Sequence, residues 1–167
     1  MRLLKRIDFW VSLLIVSITV VSAIGRVLGW YSLGFVVGAF RASHWLGIIG
    51  STYIAIATPA FSLLKRRFGA RYEAFVNFHV VGNLTAVLLL TIHFTSQVTR
   101  SVTNYPELGT GLALYIVMLF LVASGFPYRF HFLPRFNIGT NRLVHVGMAL
   151  SFYLLIGIHV LHGLGLL

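Results

Sequence analysis

Five long runs of apolar residues, separated by short stretches that carry most of the charges, dominate this chain. The runs cover about residues 8–28, 43–64, 71–98, 108–125 and 140–164. A helix needs roughly 20 mainly apolar residues to cross a bilayer, so each run is long enough to span one. The pattern therefore predicts an all-α fold, a polytopic membrane helical bundle of about five transmembrane helices in a single domain over residues 1–167.

Prolines, glycines and basic residues predict where the helices end. We expect the second helix to stop at the basic triplet 65–67 and to be kinked by Pro59, because proline lacks the amide hydrogen of a regular helix. Pro127 is expected to close the fourth helix, and the fifth follows a break at 134–139. Residues 30–40 are apolar but interrupted by glycines and too short to span, which favours a segment lying on the membrane surface.

The composition is typical of a membrane protein. Hydrophobic residues make up 58% of the chain and charged residues 10%, whereas about a quarter of a soluble domain is charged. The net charge of +10 is distributed between apolar runs rather than over one solvated face, which predicts membrane lipid and no nucleic acid as a partner. The chain has no cysteine, so disulfides, thiolate metal sites, iron–sulfur clusters and thioether-linked haem are excluded.

Basic residues are distributed unequally between the two sets of loops. Ten fall on the side of the N-terminus: Arg2, Lys5, Arg6, Lys65, Arg66, Arg67, Arg71, Arg129, Arg135 and Arg142. Three fall on the other side: Arg26, Arg41 and Arg100. Because loops rich in Lys and Arg stay in the cytoplasm, the N-terminus is predicted inside and the C-terminus outside the cytoplasmic membrane. The third and fifth helices then run in the same direction.

Four histidines stand at matched positions in the third and fifth runs. His79 and His93 are 14 residues apart, and so are His145 and His159. At about 100° and 1.5 Å per residue, each pair lies about 40° apart on one helix face and about 21 Å apart along the axis. In parallel helices, two of the histidines come to an inner level and two to an outer level. His131 also precedes His145 by 14 residues, but the break at 134–139 makes that match a coincidence and leaves its role open.

These histidines have a structural and a functional interpretation. They could be packing residues that bond to neighbouring helices. Ionisable groups at membrane depth usually have a function, and four in matched positions favour a functional role. Zinc or non-haem iron normally needs three or four converging ligands, often carboxylate or thiolate, and neither is available at this depth. Two imidazoles per level instead suit a haem iron held on both faces, which has no free position for oxygen and transfers single electrons.

The two His-x13-His pairs resemble the transmembrane domain shared by ferric reductases, NADPH oxidases and the haem-binding subunit of the bacterial methionine sulfoxide reductase system. The resemblance covers roughly residues 43–165. It implies two stacked b-type haems that carry electrons across the membrane, the inner held by His79 and His145 and the outer by His93 and His159. Family members generally have a sixth helix, and many have a cytoplasmic flavin and nicotinamide domain. Neither is visible here, so the resemblance implies a separate electron donor and an outer-side acceptor.

The same arrangement predicts roles for two residues between the levels. Phe152 is seven positions from both His145 and His159 and is expected between the two haems. Gly82 is expected to leave room for a flat ring beside the third helix, because it has no side chain. His162 lies one turn beyond His159 and could replace it as a ligand.

Arginines near the predicted helix ends are expected to pair with the anionic haem propionates. Arg71 and Arg142 would serve the inner haem, and Arg41 or Arg100 the outer one. The role of His44, at the start of the second helix, stays open.

Other functions are compatible with the same residues. On the favoured interpretation the chain is an oxidoreductase component that receives electrons from a flavoprotein, a quinol or another redox subunit. It could instead be the cytochrome b anchor subunit of a larger respiratory complex that exchanges electrons with quinone. A non-haem proton or metal-ion transporter would be colourless, and the scarcity of acidic residues in the apolar runs argues against it.

Overall fold

Helices make up most of the structure, a computed structural model that describes residues 6–100, 109–130 and 138–166. The helices in these ranges are α1 (Ile7–Val27), α2 (Ala42–Arg67), α3 (Tyr72–Val98), α4 (Gly109–Phe130) and α5 (Ile138–Gly163). All five are long and apolar enough to cross a membrane. The same ranges contain a 3-10 turn at Gly69–Arg71 and two short strands, β1 (Val36–Val37) and β2 (Phe40–Arg41).

The prediction of five apolar helices is confirmed, and most helix ends lie within two residues of the predicted positions. The end of α2 differs, because the helix includes the basic triplet 65–67 as its last turn. Lys and Arg are favourable there, since the helix macrodipole places partial negative charge at the C-terminus. The side of the membrane on which each terminus lies stays a prediction.

The prediction that Pro127 closes the fourth helix is wrong, because α4 continues through this proline to Phe130. A proline removes one amide donor from the helix, and in apolar surroundings nearby polar side chains can bond the carbonyls around it. The carbonyl that loses its helical donor is that of Ala123, and Asn141 of α5 bonds the next one, with its Nδ2 donating to the Ser124 carbonyl at 3.1 Å. A contact from another helix therefore stabilises a helix end that the local sequence disfavours.

The fifth helix begins earlier than predicted. α5 begins at Ile138, so Gly139 lies within the helix and not in a break. The glycine is exposed at the first turn, where the missing side chain costs the helix little. Pro134 and Asn137 lie outside the described residues.

The segment predicted to lie on the membrane surface contains a β-hairpin that precedes α2. Val37 pairs with Phe40 across a two-residue turn, and Gly38 in that turn has a φ of +60°, as hairpin turns of the primed types require. The side chains of both strands are exposed. Trp45 attaches the hairpin to α2, because its Nε1 donates to the Val37 carbonyl at 2.8 Å.

Contacts divide the chain into two compact units, Met1–Tyr105 and Pro106–Leu167. In the first unit α3 packs against both α1 and α2, and in the second unit α4 packs against α5. The predicted functional histidines are distributed over both units, two on α3 and two on α5.

Small residues predominate on the buried helix faces of the first unit, and most large apolar residues point outwards. Gly50, Ala86 and Thr91 are buried, whereas Leu14 is 60% and Ile56 65% exposed. This arrangement is typical of helices that pack within lipid, where small residues let backbones approach closely and large apolar side chains are solvated by acyl chains.

Gly50 provides a test of this packing. A Cβ added at Gly50 would lie 3.1 Å from the Ala86 carbonyl oxygen and 3.0 Å from Leu90 Cγ. Gly50→Val should destabilise the first unit by about 1–3 kcal/mol, because a clash with backbone cannot be relieved by a change of rotamer. Gly157→Val is the control, because it alters helix propensity equally at a position where an added Cβ meets no neighbouring atom within 4 Å. Thermal unfolding measured by circular dichroism compares the two, and equal midpoints would contradict the packing.

Candidate functional site

His93 on α3 is held by the first turns of α2. Its Nδ1 lies 2.8 Å from the Ser43 backbone carbonyl oxygen. The ring packs closely on Gly47, where an added Cβ would lie 2.9 Å from ring atoms. A carbonyl oxygen can only accept, so Nδ1 carries the proton and donates it. In the neutral ring, the lone pair is therefore on Nε2.

His79, further towards the start of α3, contacts α2 through the face of its ring. Phe61 stacks on it, with ring centroids 4.4 Å apart and 20° between the planes. Lys65 makes a cation–π contact with the same phenyl ring, with its Nζ 4.7 Å from the centroid. The stack therefore connects His79 to the basic end of α2.

Asn83 decides the tautomer of His79. Its Nδ2 lies 3.0 Å from His79 Nδ1. In this orientation of the amide the nitrogen donates and Nδ1 accepts, which places the proton of a neutral ring on Nε2, the reverse of His93. Rotating the Asn83 side-chain amide by half a turn would place its oxygen beside His79 Nδ1 and give His79 the same tautomer as His93. The Asn83 Oδ1 is buried and has no hydrogen-bond partner among the described residues.

His145 on α5 is bound by a hydroxyl of α4. Ser124 Oγ lies 2.9 Å from His145 Nδ1 and donates its own proton to the Leu121 carbonyl at 3.2 Å. Because a serine hydroxyl has one proton, Ser124 Oγ must accept from Nδ1–H of the imidazole. His145 therefore has the same tautomer as His93, with the lone pair on Nε2.

His159, 14 residues further along α5, is also bound by a hydroxyl of α4. Thr110 Oγ1 lies 2.9 Å from His159 Nδ1. Glycines lie beside both rings: an added Cβ at Gly111 would be 3.3 Å from His159, and one at Gly125 would be 3.1 Å from His145. The absence of side chains at these positions lets both imidazoles lie close to the α4 backbone.

The α4 residues that hold the histidines repeat at the histidine spacing. Thr110-Gly111 and Ser124-Gly125 are hydroxyl–glycine pairs 14 residues apart, and they contact His159 and His145 respectively. In an antiparallel helix pair, equal steps along both helices bring equivalent positions together. Sequence analysis missed these four residues, and the repeated hydroxyl–glycine pair is the signal that could have identified them.

On α2 the contacts with the histidines of α3 have the same spacing. Gly47 lies against His93 and Phe61 against His79, and these two α2 residues are also 14 positions apart. Each of the four histidines is therefore fixed by the helix that precedes its own in the chain.

The residues predicted between the levels have different surroundings. Gly82 faces α2, and a Cβ there would overlap the Tyr53 hydroxyl. The room left by this glycine holds a phenol, whose hydroxyl donates to the Phe78 carbonyl at 3.4 Å. Phe152 is buried, with 3% of its surface exposed. Their predicted places beside a cofactor stay predictions.

The arginines predicted as propionate partners lie at or near helix ends: Arg41, Arg71 and Arg142 are exposed and Arg100 is half-buried. Arg100 Nη2 lies 3.4 Å from His44 Nε2. The His44 ring is in turn edge-to-face with His93, with centroids 5.7 Å apart. The structure thus brings Arg100, His44 and His93 together at one end of the first unit.

The two histidines of each predicted ligand pair lie in different units, and their pairing stays a prediction. His162 is exposed near the end of α5, and His131 lies outside the described residues. Within the described ranges, no group of three or more His, Cys, Asp or Glu side chains could hold a metal ion.

The Ser124–His145 bond can be tested by mutation. Ser124→Ala removes the acceptor of Nδ1–H and should destabilise the second unit by about 1–3 kcal/mol. Ser151→Ala is the control, because Ser151 is exposed and bonds only its own helix, at Gly147 O, 3.1 Å away. Denaturant unfolding measures stability, and 15N NMR of the histidine rings reports the tautomer. Ser124→Thr should restore both, whereas equal behaviour of the two alanine variants would contradict the bond.

Comparisons with protein-family models, with curated proteins and with solved structures found no match. The resemblance to the ferric reductase and NADPH oxidase transmembrane domain therefore depends on the spacing of the histidines and the order of the helices.

Proposed function

We propose that this chain transfers electrons across a membrane through two b-type haems, with His79 and His145 as ligands of the inner haem and His93 and His159 as ligands of the outer one. The main support is the hydrogen bond from His93 Nδ1–H to the Ser43 carbonyl. Histidines that bind metals almost always donate their other ring N–H to a carbonyl, a carboxylate or water, which orients the ring and raises its basicity.

The donor set fits a haem better than a bare metal ion. A bare zinc or iron ion normally needs three or four converging ligands, often carboxylate or thiolate, whereas the matched histidine spacing predicts two imidazoles at each level. A haem iron needs only two axial protein ligands. All four imidazoles are partly buried, on helices apolar enough to span a membrane. Haem b, when bound with both axial positions filled, supplies one-electron chemistry and no site for oxygen.

The protein's own residues would position the ligands and exclude water. The Ser43 carbonyl and the Ser124 hydroxyl direct the lone pairs of His93 and His145 to Nε2, the atom that would bind iron. Glycines beside three of the rings allow close helix contact, and Phe61 covers one face of His79. Burial in an apolar region keeps water from the site, which affects the redox potential of any bound iron.

Charged and aromatic residues complete the proposed site. Arg71 and Arg142 would pair with the inner haem propionates and Arg41 or Arg100 with the outer ones, because guanidinium groups bind carboxylates with two parallel hydrogen bonds. Phe152 would lie between the two levels. Electrons would come from a separate flavoprotein, quinol or other redox subunit on the inner side and leave to an acceptor on the outer side.

Haem content after histidine replacement tests the ligand assignment. The purified chain should contain two haem b groups, measured by the pyridine haemochrome assay. His93→Ala and His159→Ala should each leave one haem, and the double variant should also leave one, because both changes remove the same group. His162→Ala is the control and should leave two.

Several outcomes would contradict this assignment. A chain without the Soret and α bands of b-type haem would favour the transporter alternative. Two haems retained in both His93→Ala and His159→Ala would exclude the proposed outer ligands. Reduction of the haems by quinol in the isolated chain, or co-purification of respiratory subunits, would favour the role of an anchor subunit.

The predicted orientation can be measured independently of any cofactor. The chain contains no cysteine, so a single introduced cysteine is a specific label. Ala39→Cys in the hairpin turn and Gly69→Cys between α2 and α3 are both exposed positions. In intact cells, a membrane-impermeant maleimide should label Ala39→Cys, and Gly69→Cys only after permeabilisation. The reverse pattern would contradict the inside location of the N-terminus.

A further inference from the structure

Four side chains that carry hydrogen-bond donors lie where α2 begins and α3 ends, and two of them have a buried donor without a partner among the described residues. Arg41 immediately precedes α2, and His44 lies in its first turn. Gln97 lies in the last turn of α3, and Arg100 follows that helix. The bond between Arg100 and His44, at 3.4 Å, shows that the two helix ends are adjacent.

His44 contributes a buried donor to this cluster. A guanidinium only donates, so His44 Nε2 accepts from Arg100 Nη2, and in the neutral ring the proton is on Nδ1. Nδ1 is buried and has no hydrogen-bond partner among the described residues. A buried N–H without an acceptor is unfavourable by about 1–3 kcal/mol.

Gln97 contributes a second buried donor. Its Nε2 is also without a hydrogen-bond partner among the described residues. Gln97 follows His93 by four positions within α3, which places it on the helix face that contacts the start of α2. Two buried N–H donors and two guanidinium groups therefore lie on the facing ends of α2 and α3.

The described acidic residues lie at the other end of the first unit. Asp8 is in the first turn of α1 and is paired with Arg6 at 2.6 Å, and Glu73 is in the first turn of α3. Arg26 Nε donates to Ser96 Oγ at 3.3 Å, which places the last turns of α1 and α3 together and both acids at the opposite end.

Arg26, at the same end of the unit, has two oxygen atoms as hydrogen-bond acceptors. Besides its bond to Ser96, it donates to the Tyr31 carbonyl at 3.4 Å. Arg100, in contrast, has a histidine nitrogen as its acceptor. Burial, and next the positive charge of Arg41, lower the pKa of Arg100. A negative group bound between the two arginines would remove this repulsion and supply the missing acceptors.

We infer that Arg41, His44, Gln97 and Arg100 form a binding site for one oxyanion, a carboxylate or a phosphate. Both anions have oxygens in the geometry that guanidinium groups bind with two parallel hydrogen bonds, and their remaining lone pairs can accept from His44 Nδ1–H and Gln97 Nε2–H. Binding of phosphate or of a phospholipid headgroup here does not depend on the proposed electron transfer, because none of the four residues is a proposed iron ligand. Three sources offer this chemistry: a free anion, a phospholipid headgroup and a haem propionate.

Thermal unfolding of the full chain, purified in a maltoside detergent without phospholipid, tests the site with three probes. The first two are inorganic phosphate and a short-chain phosphatidylglycerol, each compared with chloride at equal ionic strength. The third is reconstitution with haem, compared with haem dimethyl ester, which lacks free carboxylates. We expect at least one probe to raise the unfolding temperature, and the rise to level off as the probe concentration increases. The probe that has this effect identifies which kind of anion the site binds.

Variants connect the effect to the cluster. Arg100→Gln and Arg41→Gln should each lower the affinity for the effective probe about 10-fold or more, because each removes charge-assisted hydrogen bonds. Arg66→Gln at the opposite end of α2 removes the same charge and should leave the affinity unchanged. If Arg100→Gln does not fold, Arg100→Lys keeps the charge and should still weaken binding, because it loses the planar fork.

Two results would overturn the inference. One is the absence of a saturable effect from all three probes, including no difference between haem and its dimethyl ester. The other is an effect that Arg66→Gln reduces as much as Arg100→Gln, which would indicate general attraction of anions to a basic protein. Loss of haem ligation in the histidine variants would leave the phosphate and phosphatidylglycerol results intact, so with these two probes the two proposals fail separately.

Discussion

An imidazole within an apolar helix must find its hydrogen-bond partners in the protein, because acyl chains offer none. For three of the four histidines the partner comes from the helix before: Ser43 for His93, Ser124 for His145 and Thr110 for His159, whereas His79 bonds Asn83 of its own helix. A bond of about 2.9 Å forms only when two helices are close and in one register. The histidines therefore constrain how α2 packs on α3 and how α4 packs on α5, and the glycines beside them permit the close approach.

The same bonds decide what the rings can do chemically. A ring whose Nδ1 donates has its lone pair on Nε2, and His93 and His145 are in this state. His79 differs because its neighbour Asn83 presents an amide nitrogen, and because Phe61 covers one ring face. In the proposed electron-transfer role, these differences would give the inner and outer levels unequal surroundings. The hydrogen-bond partner of the ring nitrogen that does not bind iron affects the reduction potential of that iron.

The first unit has its described acids at one end only. They lie at the start of α1 and of α3, whereas two buried donors without a partner among the described residues, His44 Nδ1 and Gln97 Nε2, lie where α2 begins and α3 ends. Arg100 and His44 belong to this end. Arg100 bonds His44, and the His44 ring packs edge-to-face with His93. An anion there would lie close to the outer histidine, so the inferred anion site and the proposed haem site would influence each other electrostatically.

Length, composition and periodicity determined the five apolar helices and the shared faces of the two histidine pairs, because these properties depend on neighbours along the chain. Pro127 was misleading, since the end of α4 is stabilised by Asn141 from another helix. The repeated hydroxyl–glycine pair marks Ser124 and Thr110 in the sequence, but not their bonds to His145 and His159, because a hydroxyl matters here only through the ring that it meets. Tertiary structure alone decided which ring nitrogen carries each proton and which donors lack acceptors, since both depend on atoms close in space and distant in sequence.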